Sequence, residues 1–235
     1  VAVKEVNSQA KVIFEHSVPK GMLAKVENVL IEKIDVSKIK GKMASIIAED
    51  IPFEKLNIYK NEAIKYFEAH GEDEKAKNIY NKSYDVVNMY RLKNELDYFY
   101  TELPYSTNAI DKFDIKYLDN NYFVLLCPSK RTNGFIPEYV HYQNIIDSFL
   151  KGKEWLQKVG CPYLSNINGL ISSGQIKDFI DACELTFNEN IHECAKTIME
   201  KDEIKIVLIA GPSSSGKTTT CKRLSSYLKA QGFDP

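Results

Sequence analysis

Apolar positions recur with two different periods along the chain, and the change of period divides it. Over residues 36–50, Ile39, Met43, Ile46 and Ile47 share one helical face, and Pro52 ends the run because proline cannot continue helical hydrogen bonding. Residues 60–70 repeat that period through Ala63, Ile64 and Phe67, and Gly71 stands where a helix C-cap needs it. Residues 73–81 predict one more short helix. Upstream, residues 11–14 and 22–29 read as strands around a turn at Pro19–Gly21.

Between residues 84 and 127 the period drops to two. Residues 86–92, 97–103, 113–118 and 121–126 alternate or run apolar, rich in Tyr, Phe and Val. Turn residues at Thr107-Asn108 and Asp119-Asn120-Asn121 separate them, as an antiparallel sheet requires. Residues 1–136 therefore predict an α+β domain. From Pro137 the chain turns helical, and residues 137–202 read as a helical connection. Residues 143–159 place Ile145, Ile146, Phe149, Trp155 and Leu156 for a helix closed by Gly160 and Pro162. Residues 164–172 read as a linker with room for one strand, followed by separate helices at 175–180 and 188–199. Residues 204–210, a β-branched apolar run, form the strongest strand signal of the chain. An amphipathic helix over 217–228 follows, with Cys221, Leu224 and Leu228 spaced for packing.

Charge and cysteine usage narrow the partners. Thirty-one basic against thirty-two acidic side chains leave a net charge of −1, so no overall positive field draws the chain to nucleic acid or to a membrane. The longest apolar runs are strand-sized, and the first fourteen residues carry Lys and Glu in place of a signal-peptide stretch. Five cysteines, odd in number and without a C-x-x-C pair, fit a reduced, cytoplasmic chain. Cys183, Cys194 and His192 match no zinc spacing.

One segment carries specific chemistry. Gly211-Pro212-Ser213-Ser214-Ser215-Gly216-Lys217-Thr218 satisfies G-x-x-x-x-G-K-[ST] at every fixed position. Glycines at both ends let successive amides turn inward on an anion, and the following helix adds its positive dipole end. Lys217 supplies a mobile cation for the β- and γ-phosphates of ATP or GTP, and the Thr218 hydroxyl a ligand for Mg²⁺. A strand before the loop and a helix after it give the motif its required context, the first βα unit of a P-loop α/β domain over residues 203–235.

The run from Ile209 through Pro235, with Lys222-Arg223-Leu224 continuing the helix, resembles the uridine kinase and phosphoribulokinase branch of P-loop kinases. The resemblance covers about 30 residues. It implies that Gly211, Pro212, Ser213, Ser214, Ser215, Gly216, Lys217, Thr218 and Thr219 bind ATP, that Lys217 is catalytic, and that Thr218 ligates Mg²⁺. The phosphoryl acceptor is then a nucleoside or a similar small hydroxyl compound. The family's activating acidic residue stands on the next strand, so the chain is expected to hold only the start of the kinase domain and to lack turnover by itself.

A second resemblance covers residues 10–127. Residues 58–67, followed by Gly71-Glu72-Asp73 and Lys75, look like the second additional, editing-type domain of threonyl-tRNA synthetases. Residues 97–107 sit where that family has a Cys-containing segment ending in His. Here Phe99 takes the Cys position and Leu103 the His position. The family's HxxxH pair is missing too, since His16 has Lys20 four residues on. The resemblance implies a retained fold without hydrolytic chemistry, and makes tRNA an unlikely partner. Bacterial proteins that join such a region to a uridine-kinase-like domain fit this order, and usually begin with a small ubiquitin-like domain that would precede Val1. A binding module associated with RNA or tRNA, with a regulatory nucleotide site, is the alternative reading. For it, Lys130 and Arg131 in the polar loop 128–134 and the aromatic stretch 98–105 are the candidate contacts.

Overall fold

Where the period of two predicts strands, the chain pairs them into two antiparallel sheets, and eight α-helices complete a mixed α+β fold. In the computed structural model, which describes residues 1–235, contacts divide the chain into two units, Val1–Ser165 and Asn166–Pro235. No helix is long and apolar enough to cross a membrane.

The first sheet has the order β1 (Lys11–Val18), β2 (Gly21–Glu27), β7 (Tyr122–Leu126), β6 (Asp114–Tyr117). Its alternation is two-sided. Ala24, Val26 and Phe123 point to one face and pack on Val36, Ile39 and Ile46 of helix α2 (Lys33–Ala48). Leu23, Val124 and Leu126 point to the other face and meet Ile146, Phe149 and Leu150 of helix α5 (Gln143–Lys158). The register pairs Leu23 with Val124 and Ala24 with Phe123, so a one-residue slip would exchange the two cores. Gly21 is required where β2 meets β7: a Cβ there would lie 2.5 Å from Val124 Cγ1 and 2.9 Å from the Leu125 carbonyl.

Polar side chains fix the connections. The Asn121 side chain, at φ 66°, accepts from the Ile31 amide (3.0 Å) and donates to the Val29 carbonyl (2.9 Å), tying the β6–β7 turn to the chain entering α2. Thr107 is buried at the other end of α2. Its hydroxyl accepts from the Ile51 amide (3.0 Å) and donates to the Ile46 carbonyl (2.8 Å), satisfying backbone groups freed where the helix stops.

The second sheet, β3 (Glu54–Tyr59), β4 (Val86–Leu92), β5 (Glu95–Tyr98), carries helices α3 (Lys60–Ala69) and α4 (Asp73–Tyr80) on one face. Ala63, Phe67, Ala76 and Ile79 pack there on Val87 and Met89. Two elements have weak sequence signals: α1 (Ala2–Val6), little more than one turn, and β3, whose residues run directly into a helix. The strand expected over 97–103 ends at Tyr98. Beyond it Phe99 keeps one bond, to the Asn88 carbonyl at 3.4 Å, and Pro104 has no amide to give.

The second unit corrects three expectations. Residues 164–172 form helix α6 (Leu164–Ser172), because Leu164, Ile167, Leu170 and Ile171 have helical spacing. The two helices expected at 175–180 and 188–199 are one, α7 (Ile176–Met199), since neither Gly nor Pro interrupts residues 181–187. Residues 204–210 do not form a strand. They make no backbone ladder, and Ile206 and Leu208 stand 78% and 89% exposed. A strand of this composition needs neighbours on both edges and cover on both faces, and only Ile209 reaches a core.

Two outcomes follow for the first unit, which holds the single tryptophan, Trp155, as a reporter. Thr107→Val keeps the shape and removes both hydrogen bonds, which is expected to cost about 1–3 kcal/mol. A urea titration should show the lower midpoint with an unchanged slope. Asp114 joins β6 to α2: desolvation raises its pKa, but Lys40 (2.7 Å), Lys116 (3.0 Å) and the Ile115 amide outweigh that and hold it down to about 2. A folded value below the unfolded one gives stability that is present above about pH 4 and lost as pH falls toward 2. Asp114→Asn should flatten the acid limb of a pH series between 4 and 2.

Candidate nucleotide-phosphate site

The loop Gly211–Thr218 leads from the unpaired segment into helix α8 (Lys217–Ala230). Its path depends on two left-handed residues. Ser214 has φ 60°, and Gly216, the residue before the helix, has φ 81° and ψ 11°. Left-handed residues alternating with ordinary ones turn successive amides toward a common point, the geometry of an anion nest. Gly211 packs close to the loop: a Cβ there would lie 2.7 Å from the Ser215 hydroxyl oxygen, a contact that a turn of the serine side chain relieves. The Thr220 amide makes an early helical bond, to the Gly216 carbonyl at 2.9 Å. Amides earlier in that first turn lack carbonyls within the helix and face its N-terminal end, where the dipole is positive.

Pro212, Ser213, Ser214, Ser215, Thr218 and Thr219 are exposed, and Lys217 is half-buried. The Lys217 ammonium folds back over the loop and donates to the Pro212 carbonyl at 2.6 Å. The structure thus brings together every residue that the sequence marked for phosphate binding. Thr218 offers one hydroxyl beside the loop, so a magnesium ion held there would draw its other ligands from phosphate oxygens and water. No group of three or more His, Cys, Asp or Glu side chains could hold a metal ion elsewhere.

What supports the loop from behind is legible in the sequence only in part: the spacing of Leu224 and Leu228 marks a packing face, but their partners and the contacts of Arg223 and His192 carry no such signal. Leu224 and Leu228 of α8 bury against Ile191 and Ala195 of α7. Arg223 crosses between the helices, with its guanidinium 2.9 Å from both Glu184 and Asn188 and 4.9 Å from the Phe187 ring centre. His192 lies against Tyr227 with ring centres 4.2 Å apart.

Phe99 and Leu103, the positions compared above with an editing-type Cys and His, lie at one cavity. A cavity of about 250 Å³ in the first unit is lined by Phe99 and Leu103 together with Tyr90, Lys75, Asp97 and His70. Phe99 packs edge-on against Tyr90 (5.9 Å), and no cysteine lines the space. Desolvation lowers the Lys75 pKa, but Asp97 (2.8 Å) and Glu72 (3.1 Å) more than reverse that and leave it raised. Burial is the main cause that pushes Tyr98 up to about 12. His16 lies elsewhere, stacked on Phe149 at 4.3 Å, and Lys20 sits in the β1–β2 turn at φ 71°. Lys130 and Arg131 occupy a short 3₁₀ turn closed by Ser129, exposed to solvent. His70 is bonded to the Tyr66 carbonyl (2.7 Å), and His141 lies between Tyr139 and Gln143.

Comparison of the chain with protein-family models and with curated protein sequences gives no match.

Gly216→Ala places a Cβ on a left-handed residue at a cost of about 1–2 kcal/mol. Amide hydrogen exchange in the first turns of α8 should speed up roughly fivefold or more, with exchange in β2 and β7 unchanged.

Proposed function

We propose that residues 204–230 are the phosphate-binding element of an ATP-dependent kinase of the uridine kinase type. The parent protein would move the γ-phosphoryl group of ATP to a hydroxyl of a nucleoside or similar small acceptor. The observation that carries this reading is the loop itself: a complete G-x-x-x-x-G-K-[ST] sequence whose left-handed residues and helix N-terminus occur in one place.

In such a transfer the acceptor oxygen bonds to the γ-phosphorus as the bond from phosphorus to the β–γ bridging oxygen breaks. ADP leaves with the electron pair, and the hydroxyl proton passes to a base. Residues of this chain take the electrostatic part. Loop amides hold the phosphate oxygens, and Lys217 exchanges its Pro212 carbonyl for the β- and γ-phosphates. Thr218 would hold a magnesium ion through its hydroxyl, and the ion would neutralise phosphate charge when bound. The synthetase-like first unit contributes no chemistry in this reading.

Calorimetric titration of the chain with MgATP tests the binding step. Lys217→Ala should weaken binding about tenfold or more, the value of a charge-assisted hydrogen bond. A polypeptide continuing past Pro235 should phosphorylate one of a set of nucleosides that includes uridine and cytidine. Intact ATP binding with none of them phosphorylated would reject the kinase and leave a regulatory nucleotide site.

A further inference from the structure

Rings that no core claims gather where β3 closes and β4 opens. Tyr59 and Val86 are cross-strand partners there, and Tyr59, Tyr80 and Tyr100 are 68%, 70% and 70% exposed. Side chains of this size normally bury much of their surface, so an exposed cluster marks an interaction site more often than chance. An ammonium accompanies each of two rings. Lys60 Nζ lies 5.7 Å from the Tyr80 ring centre, and Lys82 Nζ lies 5.3 Å from that of Tyr100.

These groups are held in place. The Lys60 ammonium donates to the Lys82 carbonyl at 2.6 Å, which joins the two ring–cation pairs into one cluster. Tyr100 stands edge-on to Tyr98 at 5.6 Å, and Tyr98 packs on the Phe67 core. Tyr59 and Val86 stand on the open face of the sheet, and Tyr98, beside Tyr100, on the face that α3 and α4 cover, so the cluster is carried by Tyr80, Tyr100, Lys60 and Lys82 at the end of the sheet. Between Tyr80 and Val86 the chain has a single carboxylate, Asp85.

We propose that this end of the three-stranded sheet docks a single-stranded polynucleotide, with bases stacked on the exposed tyrosines and phosphates beside Lys60 and Lys82. Alternating rings and ammoniums match the alternation of base and phosphate, and every base has a face to stack. A duplex hides those faces inside its own stack. An apolar protein partner would desolvate two ammoniums without offering them a counter-charge. The site lies wholly in the first unit and does not rest on the kinase reading.

The test is fluorescence anisotropy of the whole chain with a labelled twelve-nucleotide single strand, and with its duplex, at two salt concentrations. The single strand should bind at least tenfold tighter than the duplex. Tyr80→Ala with Tyr100→Ala should weaken binding about tenfold or more, whereas Tyr80→Phe with Tyr100→Phe should keep it. Lys60→Gln with Lys82→Gln should make the slope of log affinity against log salt shallower by about 1.4. Phe135→Ala, at an exposed ring elsewhere in the unit, should change nothing. Trp155 fluorescence against urea checks that each variant is folded. The proposal is overturned if no strand binds at low salt, if the duplex binds as tightly, or if the folded alanine variant binds like the parent.

Discussion

An extended stretch of backbone is stable only when its edges are hydrogen-bonded and its faces are covered, and this requirement organises the chain. The sheet β1-β2-β7-β6 meets it on both faces. Ala24, Val26 and Phe123 are closed off by α2, and Leu23, Val124 and Leu126 by α5. Each residue step along β2 and β7 changes the core to which a side chain belongs, so the two helices and the register specify one another. Asn121 and Thr107 then answer for backbone groups that the ladders leave over. Residues 204–210 show the same requirement from the other side. Their composition is that of a central strand, but without neighbours they form no ladder and leave Ile206 and Leu208 bare.

The loop before α8 belongs to a different balance. Ser214 gives up a comfortable backbone conformation to turn left-handed, and Gly216 gives up little. Such strain persists where the surroundings hold it. Here the hold comes from α8 packing on α7, with Arg223 between Glu184 and Asn188. Lys217 meanwhile satisfies its charge on the Pro212 carbonyl, a bond that a phosphate oxygen could replace.

In the first unit Phe99 and Leu103 share a cavity that no cysteine lines. Phe99 contributes an aromatic edge to Tyr90, and the charged groups nearby neutralise one another through Lys75, Glu72 and Asp97. The cluster of Tyr80, Tyr100, Lys60 and Lys82 lies at the far end of the same small sheet.

Sequence alone determined what depends on local spacing. The helices around Ile39 and Phe67, the strands of the four-stranded sheet and β4 follow from period and caps, and residues 211–218 are marked by a fixed motif. Helix ends and the fate of residues 164–172 were less legible, because one short apolar run suits a strand or a helix until its neighbours are known. Tertiary structure alone decided which face of each strand meets which helix, since alternation marks two faces but not their partners. It also decided that Ser214 takes a left-handed conformation, which serine rarely adopts without support, and that residues 204–210 remain unpaired. A strand is a property of two segments, and one segment's sequence can describe only its half.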